Sequence, residues 1–159
     1  KQAVINAMKE AHPYEEVAYE VFTLHEPNVG RTLGRIGELP ETMDFESFRE
    51  HLQESLPHAN LRFGGIKKDS IKTIALCSGG GAEFIKNAVK ADAYVTGDVK
   101  YHDAQLAKEL GLLVVDAGHF GTEEIVADGI RDYLRDQSDK GGWEIAVQSF
   151  ENQVDFFFE

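Results

Sequence analysis

The chain has 159 residues, and 42% of them are hydrophobic, which suffices for one core or for two small units. Its 16 Lys and Arg against 28 Asp and Glu give a formal charge of −12, which disfavours binding to nucleic acid or to an anionic lipid surface. No apolar run is long enough for a membrane span, and no basic-then-apolar segment opens the sequence, so we expect neither a span nor a signal segment. A single cysteine, Cys77, excludes an intrachain disulfide and favours the cytoplasm.

The first 68 residues predict a small α+β unit. Apolar spacing predicts a helix over 2–11, ended by His12-Pro13, and alternation predicts a strand over 17–24. Residues 32–39 are a second strand candidate, which Gly34 and Gly37 interrupt. Asp44 is positioned to cap a second helix, and a short strand follows at 61–63. Because the first helix begins without a cap or a methionine, we expect a fragment whose first strand is missing.

A different pattern begins near residue 69. Apolar segments at 71–77, 93–96 and 112–115 each precede a polar or glycine-rich turn and then a helical pattern. Equivalent positions recur every 19 residues, a spacing typical of βα units, which predicts a largely parallel sheet. Alternating apolar residues in 143–147 and 154–158 predict a terminal hairpin, antiparallel at the sheet edge.

Ligands of an open parallel sheet bind beyond the carboxyl ends of its strands. The three turns expected there are Ser78-Gly79-Gly80-Gly81, Thr96-Gly97-Asp98 and Asp116-Ala117-Gly118-His119. His119 and Glu123 lie four residues apart at a helix entrance, where they suit either a divalent cation or, for the carboxylate, the helix dipole.

Three further features have both a chemical and a structural interpretation. His102 is a candidate proton shuttle, with Asp98 as its orienting group or as the neighbour of a metal. Alternatively, Asp98 caps the helix and His102 is exposed in its first turn. The backbone N–H groups of Ser78, Gly79, Gly80 and Gly81 suit an anion, or the glycines only permit a tight turn. Cys77 is most simply a small buried hydrophobic residue.

Three segments together resemble the C-terminal half of the Nif-three-like family, often called GTP cyclohydrolase I type 2 homologues. They are CSGGG (77–81), YVTGDVKYHDA (94–104) and DAGHFGTEE (116–124). HPYEEVAYEVF (12–22) is similar to the CutA/PII-like, ferredoxin-like insert of longer bacterial members. The resemblance implies an α/β fold with a three-layer sheet over 69–159 and the insert domain over 1–68.

The resemblance also implies a site and an assembly. Family members hold two divalent metals per subunit in a hexamer, a trimer of dimers, and the ligands that carry over are His119 and Glu123. Asp98 and His102 would line the same cleft. The family's adjacent His-His pair and Asp belong to an N-terminal half, and no His-His occurs in this sequence.

Two functions remain open from the sequence. One is a metal-dependent hydrolase in which His102 passes a proton and the glycine turn contacts an anionic part of a small-molecule or nucleotide ligand. The other is a non-enzymatic regulatory or trafficking hexamer with a ligand-sensing insert. A histidine and a carboxylate suit zinc, iron, manganese or nickel alike.

Overall fold

The structure, a computed structural model, describes residues 2–22, 33–150 and 153–156. The chain divides into two compact units, Lys1–Arg31 and Thr32–Glu159. In the first unit, helix α1 spans Gln2–Ala11, as predicted. The ammonium of Lys9 lies 5.0 Å from the ring centroid of Tyr19, a cation–π contact within this unit.

The strand predicted over 17–24 is wrong for the residues that are described. Residues 17–22 form neither strand nor helix, and Thr23 and Leu24 lie outside the described residues. Alternation of apolar side chains favours a strand only where a partner strand accepts its backbone hydrogen bonds, and residues 2–22 contain no such partner.

The second unit is built on a five-stranded sheet, whose strands in chain order are β1 (Arg35–Met43), β2 (Arg62–Gly65), β3 (Ile71–Leu76), β4 (Ala93–Thr96) and β5 (Leu113–Asp116). Their order in the sheet is β1-β3-β4-β5-β2. Its central strands β3, β4 and β5 are parallel, which confirms the prediction from the βα spacing. The edge strand β1 is antiparallel to β3, and the other edge strand, β2, is antiparallel to β5.

This sheet corrects the expected position of the domain boundary. Strands β1 and β2 lie before residue 69, yet they pair with β3 and β5 in the sheet that continues beyond it. The two compact units instead divide at residues 31 and 32. The sequence pattern misled because β1, helix α2 (Phe45–Ser55) and β2 resemble half of a small α+β unit when their pairing partners are unknown. The CutA/PII-like, ferredoxin-like insert expected over residues 1–68 stays a prediction.

Helices cover both faces of the sheet and give it three layers. On one face, Phe48 and Leu52 of α2 belong to a buried cluster with Leu113 and Val115 of β5. On the other face, Leu112 and Val114 pack with residues from helix α3 (Tyr101–Glu109) and a 3₁₀ helix (Ala82–Asn87). The alternation along β5 therefore supplies two cores, as expected for a strand that is covered on both sides.

Helices α4 (His119–Glu123) and α5 (Ile125–Gly141) follow β5. The terminal hairpin predicted after them is wrong where the chain is described, because residues 142–150 and 153–156 contain no strand. The carbonyl oxygens of Trp143 and Val147 instead accept hydrogen bonds from Ser138 Oγ and Arg135 Nε of α5, at 2.9 Å each. Residues 151–152 and 157–159 of the expected hairpin lie outside the described residues. No described helix combines the length and apolarity that a bilayer crossing requires.

Candidate metal site

The turns that follow β3, β4 and β5 meet at the carboxyl edge of the sheet, as predicted. Gly97 N donates to Gly79 O at 2.8 Å, and Ala117 N donates to Thr96 O at 2.8 Å. Gly79 N donates to Thr122 Oγ1 of α4, also at 2.8 Å. Each turn is thus hydrogen-bonded to another, so the side chains that they carry are fixed relative to one another.

Two glycines permit this close approach. A Cβ at Gly97 would lie 2.7 Å from the carbonyl carbon of Gly118, so the second and third turns meet backbone to backbone. Gly79 has φ +64°, and a Cβ there would lie 2.3 Å from Glu123 Oε1 and 3.2 Å from His119 Nε2. The absence of a side chain at Gly79 therefore leaves room for the imidazole and the carboxylate beside it.

His119 lies between two carboxylates. Its Nε2 is 3.3 Å from Glu123 Oε2, and its Nδ1 is 2.7 Å from Asp98 Oδ2. About half of each of these three side chains is exposed. The hydrogen bond to Asp98, aided by Glu123, holds the pKa of His119 above its ordinary value. The helical spacing of four residues thus brings His119 and Glu123 together, as the sequence predicted.

Asp98 has a different partner from the one expected. It contacts His119, whereas His102 lies exposed in the first turn of α3, with its Nδ1 3.4 Å from Gln105 Oε1. Asp98 also has φ +57°, a left-handed conformation that is uncommon for residues other than glycine. Such strain is frequent where a side chain must be aimed at a functional group. The role of His102 as a proton shuttle stays a prediction.

The glycine turn offers fewer donors to an anion than its sequence suggests. The N–H of Gly79 is bonded to Thr122, and the N–H of Gly81 donates to Thr96 Oγ1 at 2.9 Å. Cys77, just before the turn, is buried and free, in line with its interpretation as a core residue. The geometry therefore favours the structural interpretation of Gly79 and Gly81, while Ser78 and Gly80 stay candidates.

Sequence reasoning missed an ion pair at the same edge. Arg62 Nη2 donates to Asp116 Oδ2 and, at 2.8 Å, to the carbonyl oxygen of Val99. Asp116 also accepts from Val99 N at 3.2 Å and from Gly118 N at 3.1 Å. The available signal was a charged residue, Arg62, inside the short strand predicted over 61–63. In the sheet it begins β2 and lies opposite Asp116, the last residue of β5.

The spacing of donor atoms in the His119–Glu123 pair fits a metal ion. Two ligand atoms that are each about 2.1 Å from a tetrahedral zinc lie about 3.4 Å apart, and Nε2 and Oε2 are 3.3 Å apart. A carboxylate on Nδ1 is the usual partner of a metal-binding histidine, because it keeps the proton on Nδ1 and the lone pair on Nε2. Residues 2–22, 33–150 and 153–156 contain no group of three His, Cys, Asp or Glu side chains arranged to hold an ion.

Fold and site together define an α/β protein with a histidine and two carboxylates where parallel strands end. Residues 4–155 match the family described as Duf34/NIF3 (NGG1p interacting factor 3). The chain therefore belongs to the DUF34/NIF3 family, which confirms the family resemblance.

Two curated relatives bear the name "GTP cyclohydrolase 1 type 2 homolog". The Bacillus subtilis protein is 39% identical over 132 residues, 82% of this chain and 35% of its own length. The Listeria innocua protein is 34% identical over 139 residues, 86% of this chain and 37% of its own. The chain therefore spans about a third of these relatives.

Solved structures agree on the fold. A Bacillus cereus protein related to NIF3 has 37% identity and a TM-score of 0.76, over 99% of this chain and 44% of its own. A Staphylococcus aureus protein has 28% identity and a TM-score of 0.77, over 99% of this chain and 52% of its own.

Proposed function

We propose that this chain supplies His119 and Glu123 as ligands to divalent metal, in a dinuclear site that serves a hydrolase. The observation that carries the proposal is the paired geometry of His119, with Nε2 facing Glu123 and Nδ1 bound to Asp98. Two protein ligands do not close a metal site, so the remaining ligands would come from outside the described residues. Zinc, iron, manganese and nickel all suit this donor pair.

The chain's own residues would divide the work at such a site. Glu123 and His119 would hold the metal, and Asp98 would fix the His119 ring and its tautomer. A bound divalent ion supplies Lewis acidity and a water molecule of lowered pKa. His102, in the first turn of α3, would accept or donate a proton at the exposed side of the cleft.

The substrate class comes from the relatives' names, which favour a nucleotide such as GTP. No sequence motif points to a guanine base, so other nucleotides and phosphoesters belong in the same screen. We place the protein in the cytoplasm as a homo-oligomer, a hexamer built as a trimer of dimers. This assembly would bring further ligands and cleft walls to the site.

The first test measures metal per subunit by elemental mass spectrometry after incubation with Zn²⁺ and removal of unbound ion. His119→Ala should lose most of the bound metal, because the remaining Glu123 is a single ligand. His51→Ala is the matched control, since His51 is an exposed histidine of α2. Equal metal in wild type and His119→Ala contradicts the proposed site.

The second test follows turnover of GTP, other nucleotides and phosphoesters by the metal-loaded protein. Hydrolysis that disappears in His119→Ala together with the metal supports the enzyme. Tight metal binding with no turnover across the screen would instead favour the non-enzymatic regulatory or trafficking protein that the sequence left open. The two results separate the metal site from the chemistry performed at it.

A further inference from the structure

We propose that Arg62 binds an oxyanion, such as a phosphate group, of the molecule that occupies the cleft beside His119. The proposal rests on the function proposed above, which it deepens by naming the group that recognises an anionic substrate. It also replaces two donors of the predicted anion site, Gly79 N and Gly81 N, which are bonded within the protein.

Arg62 lies at the same edge of the sheet as the His119–Glu123 pair. It begins β2 opposite Asp116, where β5 ends and the turn to α4 begins. Its Nη2 donates to the carbonyl oxygen of Val99, next in the chain to Asp98. Asp116, the other partner of Nη2, accepts from the N–H of Gly118, next in the chain to His119. Arg62 is thus hydrogen-bonded to Val99, which follows Asp98 in the chain, and to Asp116, whose carboxylate also holds the turn that carries His119.

The guanidinium is held on one side and open on the other. Both hydrogen bonds use Nη2, and Nε and Nη1 make no hydrogen bond or ion pair with a described residue. The side chain of Arg62 is 72% exposed, whereas that of Asp116 is 11% exposed. An arginine anchored in this way presents its remaining N–H donors in a fixed fork, which matches phosphate and carboxylate oxygens. Pre-organisation reduces the entropy lost when the anion binds.

If Arg62 served only to neutralise Asp116, it would not need the N–H donors that remain on Nε and Nη1. Neutralising Asp116 requires one donor of Arg62, because two backbone N–H groups already bind that carboxylate. In a chain with a formal charge of −12, a cation fixed beside the cleft also offsets the repulsion that a phosphate would meet there.

The experiment titrates the full chain with pyrophosphate and with GTP by calorimetry, with and without Zn²⁺. Arg62→Lys keeps the charge but loses the fork, and it should weaken binding by about 10- to 100-fold with unchanged metal content. Arg49→Lys is the matched control, because Arg49 is an exposed arginine paired with Glu46 on α2. Equal affinity of Arg62→Lys and wild type overturns the proposal while leaving the metal site intact.

A second measurement does not depend on a variant that folds. The Nε–H resonance of Arg62 in the wild-type protein should shift on addition of pyrophosphate, while that of Arg49 should not. An unshifted Arg62 resonance overturns the proposal. Anion binding that needs Arg62 in a protein that retains no metal supports the oxyanion site and contradicts the proposed metal function, so the two failures are distinguishable.

Discussion

At the scale of single residues, the orientation of the His119 ring depends on Asp98, which the sequence analysis had grouped with His102. Its carboxylate is 2.7 Å from Nδ1 of His119, and its backbone is held at φ +57°. An imidazole without that partner would adopt either tautomer and rotate more freely. Nε2, the nitrogen that we propose as the metal ligand, would then be correctly presented only part of the time.

We therefore expect Asp98→Gly to weaken Zn²⁺ binding by about 10- to 100-fold, the usual cost of losing such a partner. Glycine accepts the left-handed backbone, so the change removes the carboxylate without adding strain. Asp98→Asn keeps an acceptor oxygen, so its Zn²⁺ affinity in a calorimetric titration should lie between those of wild type and Asp98→Gly. Wild-type affinity in Asp98→Gly would show that Asp98 does not orient His119.

Gly79 gives a second prediction at this scale. Alanine there would combine a positive φ with a Cβ 2.3 Å from Glu123 Oε1, so the carboxylate must move away from His119. We expect a loss of about 1–2 kcal/mol in the free energy of unfolding and weaker Zn²⁺ binding. Gly37→Ala is the control, because a Cβ at Gly37 has nothing within 4 Å. Urea unfolding and metal titration measure both effects, and an unaltered Gly79→Ala protein would contradict them.

At the scale of elements, the sequence predicted a helix or strand correctly where residues close in the chain determine it. Asp44 caps α2, accepting from Ser47 N at 2.8 Å, and Phe48 and Leu52 are buried at helical spacing as predicted. The strand predicted over 17–24 and the hairpin predicted over 143–147 and 154–158 had equally clear alternation. They are absent from the described residues because a strand depends on a distant partner that alternation does not specify.

The dependence on distant partners also explains which contacts of the site the sequence predicted and which it missed. His119 and Glu123 share a helix, so their spacing predicts that they meet. The contact of Asp98 with His119 joins two turns, and that of Arg62 with Asp116 joins the first residue of β2 to the end of β5. Both depend on the order of strands in the sheet, which the residues alone did not reveal.

The cap of α2 gives a prediction with a defined pH dependence. Hydrogen bonds from Ser47 hold the pKa of Asp44 below its ordinary value of 3.8. A lowered pKa means that the cap stabilises the fold above the unfolded-state pKa, and that this contribution is lost as the pH falls through the folded-state value. Asp44→Ala should therefore lower the melting temperature at pH 7, and the difference from wild type should shrink below about pH 4.

Asp44→Asn is the matched control for this measurement. Asparagine caps helices about as well as aspartate but does not titrate. Its melting temperature should stay near that of wild type at pH 7. A difference between wild type and Asp44→Ala that is constant from pH 7 to pH 3 would show that the carboxylate does not act through its charge.

At the scale of the whole molecule, the question is which residues fold together. The sequence placed a boundary at 68 and 69, whereas the compact units divide at 31 and 32. Residues 33–68 supply both edge strands of the sheet and the helix that covers one face. A chain that lacks them would expose Ile71, Val95 and Val115 to water on that face.

Two deletions distinguish these boundaries. Removal of residues 1–31 should leave a sheet with both cores, a cooperative thermal transition and the Zn²⁺ affinity of the longer chain. Removal of residues 1–68 takes away Phe48 and Leu52, each worth about 1.5–3 kcal/mol of burial, together with all pairing of the two outer strands. Since a domain is stable by only about 5–15 kcal/mol, the shorter chain should show no cooperative transition in near-ultraviolet circular dichroism. A cooperative transition in it would restore the boundary at 68 and 69, because the parallel strands would then fold without their antiparallel edges.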